Sequence, residues 1–186
     1  HWVFNYGGNQ GDPVIAQDGT IYASSSKSLY ALNTDGTQKW VFTAVDTIGS
    51  SPAIGLDGTI YISAQSSLSA INPDGTKKWT YTLEMGNGFY QGPAIGTNGH
   101  IYQAFHVGAT SQLYMFNSNG VVLDKATMSG TARSSPSIGK DGRIYVGTSY
   151  DYVYSWNSDL SGVRVFQTAM GVDNSPTIAE DGTVYI

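Results

Sequence analysis

A hairpin pattern returns five times in this chain and leaves few folds open to it. Residues 51–62 read Ser-Pro-Ala-Ile-Gly-Leu-Asp-Gly-Thr-Ile-Tyr-Ile, and related stretches start at Pro13, Pro93, Pro136 and Pro176. The period is about 40 residues. The pairs Asp18-Gly19, Asp57-Gly58, Asn98-Gly99, Asp141-Gly142 and Asp181-Gly182 keep one distance from their prolines, as do Tyr22, Tyr61, Tyr102, Tyr145 and Tyr185. Asp-Gly or Asn-Gly between β-branched and aromatic runs marks a tight hairpin, because both residues tolerate the positive φ such turns demand. Each copy therefore reads strand A (52–55 in the second copy), turn, strand B (59–64). Pro heads strand A, where a missing N–H costs least.

A third strand, C, follows each B: 29–33, 68–72, 113–117 and 153–157. Residues two apart share a face, so Leu68, Ala70 and Asn72 point one way while Ser69 and Ile71 point the other. A second turn, Asn-x-Asp/Asn-Gly, comes next; its fourth copy has Leu160 in place of Gly. Strand D closes the unit at 38–43, 77–82, 121–127 and 163–168, and residues 2–6 read as another D strand. Along the chain this is D, then ABCD four times, then AB.

Such a meander has two apolar faces and must be covered by its neighbours on both. Four-stranded units of this length stack radially as propeller blades. The fold class is therefore all-β, a β-propeller of four-stranded antiparallel blades, with four complete repeats plus a partial fifth. One domain over 1–186 is expected, with repeats at 7–43, 44–82, 83–127 and 128–168, a partial repeat at 169–186, and 1–6 as an outer strand. Two expectations about extent stay open: a piece of a longer propeller of six to eight blades, or a closed five-blade ring with a short last blade. Composition agrees with the class. There are 23 Gly and 13 Tyr, 40% of residues are hydrophobic, and only 12% are charged.

The C-turn-D stretches 29–40 and 68–79, Leu-Tyr-Ala-Leu-Asn-Thr-Asp-Gly-Thr-Gln-Lys-Trp and Leu-Ser-Ala-Ile-Asn-Pro-Asp-Gly-Thr-Lys-Lys-Trp, resemble the repeat of the pyrroloquinoline-quinone-like (quinoprotein-like) propeller family. The resemblance implies that the late Trp of each repeat packs between blades. Trp40, Trp79 and Trp2 fit that role; Asp124 and Arg164 stand in its place in the third and fourth units, so either those blades are locked differently or the pattern slips there. The family includes quinoprotein alcohol dehydrogenases and non-catalytic scaffolds such as the outer-membrane assembly lipoprotein. The resemblance implies a secreted, cell-surface or periplasmic bacterial protein that binds something. The dehydrogenases would require a calcium site, an acidic base and an adjacent cysteine pair, and this chain has no Cys.

Several chemistries are disfavoured by the residues themselves. A net charge of −5 argues against a nucleic-acid partner. No apolar run is long enough to span a membrane. Without Cys there is neither a disulfide nor a thiolate nucleophile. The Asn-x-Asp-Gly-Thr turns offer closely spaced oxygens, but they lack the later bidentate Glu of a calcium loop and read as Asx turns. Ser50-Ser51 and Ser134-Ser135 read as channel-lining residues, and no Gly-x-Ser-x-Gly elbow occurs. His1, His100 and His106 have no metal-ligand spacing. No catalytic residue, metal or cofactor is assigned.

The informative positions are those where the repeat breaks. D–A and B–C loops share one end of a propeller, and loops vary without unfolding the scaffold. The third unit carries the longest D–A loop, 84–91, and the longest B–C connection, 105–112. Candidate ligand-binding residues are Asn87, Phe89, Tyr90, Gln91, His106, Arg133, Tyr150 and Asp151, which combine amide and charged groups with aromatics. The reading is a non-catalytic module that binds a protein or a carbohydrate on this face. Alternatives are a fragment of a quinoprotein-type dehydrogenase or polysaccharide-active enzyme, and a purely structural repeat module or one that self-associates through open blade edges.

Overall fold

The structure is a computed structural model that describes residues 2–5, 7, 11–84 and 91–186. Its strands group by unit. The first holds β1 (Val14–Ile15), β2 (Ile21–Ser25), β3 (Ser28–Leu32) and β4 (Gln38–Thr43). The second holds β5 (Ala53–Ile54), β6 (Ile60–Ala64), β7 (Ser67–Ile71) and β8 (Lys77–Thr82). The third holds β9 (Ala94–Ile95), β10 (Ile101–Val107), β11 (Thr110–Phe116) and β12 (Val122–Ser129). The fourth holds β13 (Ser137–Ile138), β14 (Ile144–Thr148), β15 (Tyr152–Trp156) and β16 (Arg164–Gln167), and β17 (Thr177–Ile178) with β18 (Val184–Tyr185) begins a fifth. The first four units are four-stranded sheets in sequential order, every pairing antiparallel, and the last is a two-stranded sheet. The chain is all-β, with blades in the propeller arrangement that the repeat predicts.

Strand A shrinks to two residues in every unit, shorter than the four expected. It is the innermost strand, where neighbouring blades crowd: β5 lies against β9, β9 against β13, and β13 against β17. Serines tie this ring together. Ser51 Oγ accepts the Asp12 N–H at 2.8 Å, Ser135 Oγ accepts the Gly92 N–H at 2.8 Å, and Ser175 Oγ accepts the Ser135 N–H at 3.0 Å. These bonds satisfy the N–H just before strand A, which has no ladder partner of its own.

Between blades lie three apolar layers. Tyr22, Leu29 and Ala31 of unit one meet Ile60, Ile62 and Ile71 of unit two. Tyr61, Leu68 and Ala70 then meet Ile101, Phe105 and Phe116. Tyr102, Leu113 and Met115 meet Ile144, Val146 and Trp156. Alternate residues of one strand thus serve opposite layers, as a period of two requires. Each fully buried Leu or Ile contributes roughly 1.5–3 kcal/mol through burial.

At the outer rim the blades are keyed by an indole on a glycine. The Trp40 ring lies over Gly75 of the next unit's C–D turn, so close that a Cβ on Gly75 would sit 2.7 Å from Cδ2. Trp2 covers Gly36 and Trp79 covers Gly120 in the same way. Each indole N–H donates to a carbonyl of the turn it covers: Trp2 to Thr34 O at 2.9 Å, Trp40 to Pro73 O at 3.0 Å, and Trp79 to Ser118 O at 2.9 Å. Gly is needed twice over, for ring contact and for its positive φ of 86°, 88° and 81° at positions 36, 75 and 120. A bulge just before Trp40 and Trp79, where Lys39 and Lys78 are the extra residues, kinks strand D next to the ring. Lys39 and Lys78 reach across their own sheets to Thr20 Oγ1 and Thr59 Oγ1.

The third boundary solves the same problem with other residues. Asp124 pairs with Met115 in the register where Trp40 pairs with Ala31 and Trp79 with Ala70. The turn it would have covered carries Leu160 at φ 62°, buried in the layer with Tyr102, Met115 and Trp156. Tyr102 Oη donates to Ser158 O, the carbonyl that corresponds to those bonded by the indoles. Leu160 keeps the glycine's backbone shape, with its N–H on Asn157 O at 2.9 Å. A left-handed Leu costs about 1–2 kcal/mol, and burial of its side chain offsets that.

Other expectations shift. No strand forms over 2–5; Trp2 docks on the Gly36 turn and Phe4 packs edge-on against Tyr30 at 5.5 Å instead. The C–D turns are Asx turns: Asp35 Oδ1 accepts the Thr37 hydroxyl at 2.6 Å and the Thr37 N–H at 2.9 Å. These two bonds, the hydroxyl's first, hold the Asp35 carboxyl below the usual range, and Asp74 and Asp159 follow the same pattern.

Tyr102→Phe is expected to lower stability by about 0.5–1.5 kcal/mol, the net worth of the bond it gives to Ser158 O. Tyr22→Phe should cost under about 0.5 kcal/mol, since Trp40 already serves the matching carbonyl, Pro73 O. Urea denaturation of both variants checks the contrast.

Candidate interaction face

Antiparallel connectivity puts the D–A loops and B–C turns at one end of the blades and the A–B and C–D turns at the other. The D–A loops are less free than their polar composition predicts. Three of them, at 45–50, 129–134 and 170–174, lay one apolar residue inward: Ile48, Ala132 and Val172 are buried. Ile48 bridges to Ala64 and donates its N–H to Ser26 O at 2.7 Å. Ala132 bridges to Thr148 and donates to Ser111 Oγ at 2.8 Å. Val172 donates to Thr148 O at 3.0 Å. Its side chain presses so closely on Gly147 that a Cβ there would lie 2.4 Å from Val172 Cγ1.

The eight candidate residues fall into three groups. Asn87, Phe89 and Tyr90 lie outside the described residues. Gln91 is only 5% exposed. Its side-chain Nε2 donates to Ala132 O at 2.8 Å, and its own carbonyl accepts from Gln103 Nε2 at 3.2 Å. It joins unit three to the loop that opens unit four. His106 sits in a strand, not a loop, because β10 and β11 continue the ladder through His106↔Ser111 and Val107↔Thr110. The expected long B–C connection is therefore a hairpin with Gly108 and Ala109 at its tip. His106 is half-buried, with Nδ1 3.4 Å from Ser111 Oγ.

Arg133, Tyr150 and Asp151 lie on the two segments around the end of β14: Arg133 in the D–A loop that pairs with it, Tyr150 and Asp151 in the turn that follows it. Tyr150 is 62% exposed, and its ring rests on Gly130, where a Cβ would lie 2.8 Å from Tyr150 Cγ. Asp151 takes the turn position, with φ 64° and its carbonyl accepting the Thr168 N–H at 2.7 Å. Arg133 is held by its own N–H on Gly147 O at 3.4 Å, and its Nη1 lies 3.6 Å from Asp173 Oδ1. Asp173 is the residue that single-position reasoning missed; the signal was its place beside the buried Val172 in the following loop.

The residues present do not fit the quinone for which the resembled family is known. Trp40 and Trp79 are spent on rim turns and cannot form an aromatic floor at the axis. Among the described residues, no group of three or more His, Cys, Asp or Glu could hold a metal ion. No described helix is long and apolar enough to cross a membrane.

Gln91→Leu is expected to cost about 1–3 kcal/mol, the penalty for a buried carbonyl left without its donor. Thermal unfolding checks this; a variant as stable as the parent would return Gln91 to the set of ligand candidates.

Residues 2–89 match the family model described as outer membrane protein assembly factor BamB. No curated protein matches the chain. Among solved structures, BamB from Moraxella catarrhalis is similar with a TM-score of 0.73 at 14% identity, over 92% of this chain and 53% of that one. A protein of unknown function from Bacteroides caccae is similar with a TM-score of 0.66 at 17% identity, over 87% of this chain and 61% of that one. The chain spans between half and two thirds of the length of these structures. Its resemblance to the pyrroloquinoline-quinone-like propeller repeat is borne out, by the family model over the first two units and by the shared propeller fold over most of the chain.

Proposed function

We propose that this chain is a non-catalytic scaffold that binds a partner protein through the face built from its D–A loops and B–C turns. The observation that carries the reading is Tyr150, 62% exposed with its ring packed on Gly130, on the same face as the Arg133–Asp173 pair. An exposed aromatic packed on backbone, on a face that also carries an Arg, is suited to anchor an interface, because it buries much area while losing little rotamer freedom. Burial of the loop centres at Ile48, Ala132 and Val172 makes this face a preformed surface. The description of the matching family, an outer membrane protein assembly factor, supports a periplasmic setting and a partner from outer-membrane assembly.

A photo-crosslinking amino acid at position 150 tests this, with position 77 on the outer strand as control. In cells, position 150 should give one discrete protein adduct that position 77 does not, and Arg133→Ala should weaken it several-fold. Absence of an adduct at 150, or saccharide binding on a glycan array that Tyr150→Ala abolishes, would overturn the protein-partner reading.

A further inference from the structure

The opposite end of the blades carries a second feature. Between the A–B turns of units one and two lies a cleft of about 640 Å³, lined among others by Ile15, Asp18, Tyr22, Leu56, Asp57 and Pro73. Its size falls within the range of sites that hold ligands. Its rim is rigid. The Asp18 and Asp57 carboxylates accept the N–H groups of Thr20 and Thr59 at 2.9 and 3.0 Å, and their hydroxyls at 2.9 and 2.8 Å. Those bonds hold Asp18 below the usual carboxylate range; at Asp57 burial opposes the shift, but Thr59 and Lys78 outweigh it. Lys39 and Lys78 lie 3.5 and 3.2 Å from the two carboxylates but do not line the cleft. Within it, Leu56 is 96% exposed and Ile15 is 70% exposed.

The fourth boundary supplies an internal comparison. The corresponding cleft between units four and five is lined by Asp141, Tyr145, Ile178 and Asp181, the counterparts of Asp18, Tyr22, Ile54 and Asp57, and measures about 380 Å³. There the two turn tips carry Lys140 and Glu180, which approach to 3.7 Å across the gap. At the first boundary the same two positions are Gln17 and Leu56, which cannot form an ion pair. Of the five turn-tip residues, Gln17, Leu56, Thr97, Lys140 and Glu180, only Leu56 is apolar. Pro73 replaces Thr34, Ser118 and Ser158 of the other C–D turns and adds an apolar wall. The five tips all differ, and Leu56 is the one that offers an apolar surface to its cleft.

The geometry points to a second binding site in this cleft, independent of the Tyr150 face, for an extended peptide with an apolar side chain next to a Lys or Arg. The apolar side chain lies against Ile15, Leu56 and Pro73. The cation meets the exposed edges of Asp18 and Asp57, in competition with Lys39 and Lys78. With a chain of net charge −5, approach of a basic segment is also favoured at long range.

The test uses acetyl-Lys-Leu-Lys-Leu-Lys-amide as probe, followed by amide chemical shifts of the whole chain at low salt. The expected result is saturable binding with shifts centred on residues 15–18 and 54–58. The double variant Gln17→Lys/Leu56→Glu installs the bridge of the other cleft at two exposed positions, and should weaken binding at least about tenfold with an unchanged fold by circular dichroism. The peptide with Glu in place of Lys should bind at least about tenfold more weakly. Absence of saturation, equal binding of the acidic peptide, shifts mapping to the Tyr150 face, or full affinity in the double variant would each overturn the assignment. None of these outcomes bears on crosslinking at position 150.

Discussion

An indole lying on a glycine of the next blade is the contact on which this architecture depends. A lone four-stranded meander exposes two apolar faces, so each blade is stable only in register with its neighbours. The apolar layers provide most of the driving force, but burial is non-directional and tolerates sliding. The Trp–Gly contact does not. It needs a turn with no Cβ at positive φ, and it fixes one hydrogen bond to one carbonyl, as at Trp40, Gly75 and Pro73. That bond sets the height of each blade against the next. Near the axis, the Ser–backbone bonds at Ser51, Ser135 and Ser175 fix the other end of the interface.

The third boundary shows which part of this contact is indispensable. Trp and Gly disappear together, replaced by Asp124 and Leu160, yet the turn carbonyl keeps a donor from across the interface in Tyr102. The space above the turn is filled from the opposite side, by Leu160 in place of an indole. What persists is a filled layer and a satisfied carbonyl, not a particular residue pair. The filled layer follows from the cost of leaving a void, and the carbonyl bond adds direction at residues that lie at the exposed rim.

Much of this was legible in the sequence because the signals are local and repeated. Asp-Gly turns, alternating apolar residues and the period near 40 specify strands and blades without reference to tertiary contacts. The late Trp was legible through family resemblance, and its absence at Asp124 correctly announced a different lock. What stayed hidden depends on distant partners. The stretch 105–112 reads as a polar loop, but its residues find ladder partners and extend β10 and β11. Residues 2–5 alternate like a strand, yet Trp2 docks on the first unit's turn. Gln91 has the composition of a ligand contact, and only the fold shows that its amide is committed to Ala132 O. The cleft beside Leu56 escaped notice because a single exposed Leu carries no signal until its counterpart Glu180 is seen bridging to Lys140.

The scaffold account places sameness and difference in separate positions. Turn Asp, inner Ser and rim Trp–Gly recur and hold blades, while Tyr150, Arg133, Gln17 and Leu56 vary and face outward. Its central claim is that the indole and the glycine act as one unit across the blade boundary. A double-mutant cycle of Trp40→Ala and Gly75→Ala, read by urea denaturation, tests this directly. With Trp40 present, Gly75→Ala should cost about 2–3 kcal/mol, from strained φ plus the displaced ring; with Trp40 removed, about 1 kcal/mol should remain, from the backbone alone. Strict additivity of the two substitutions would contradict the account.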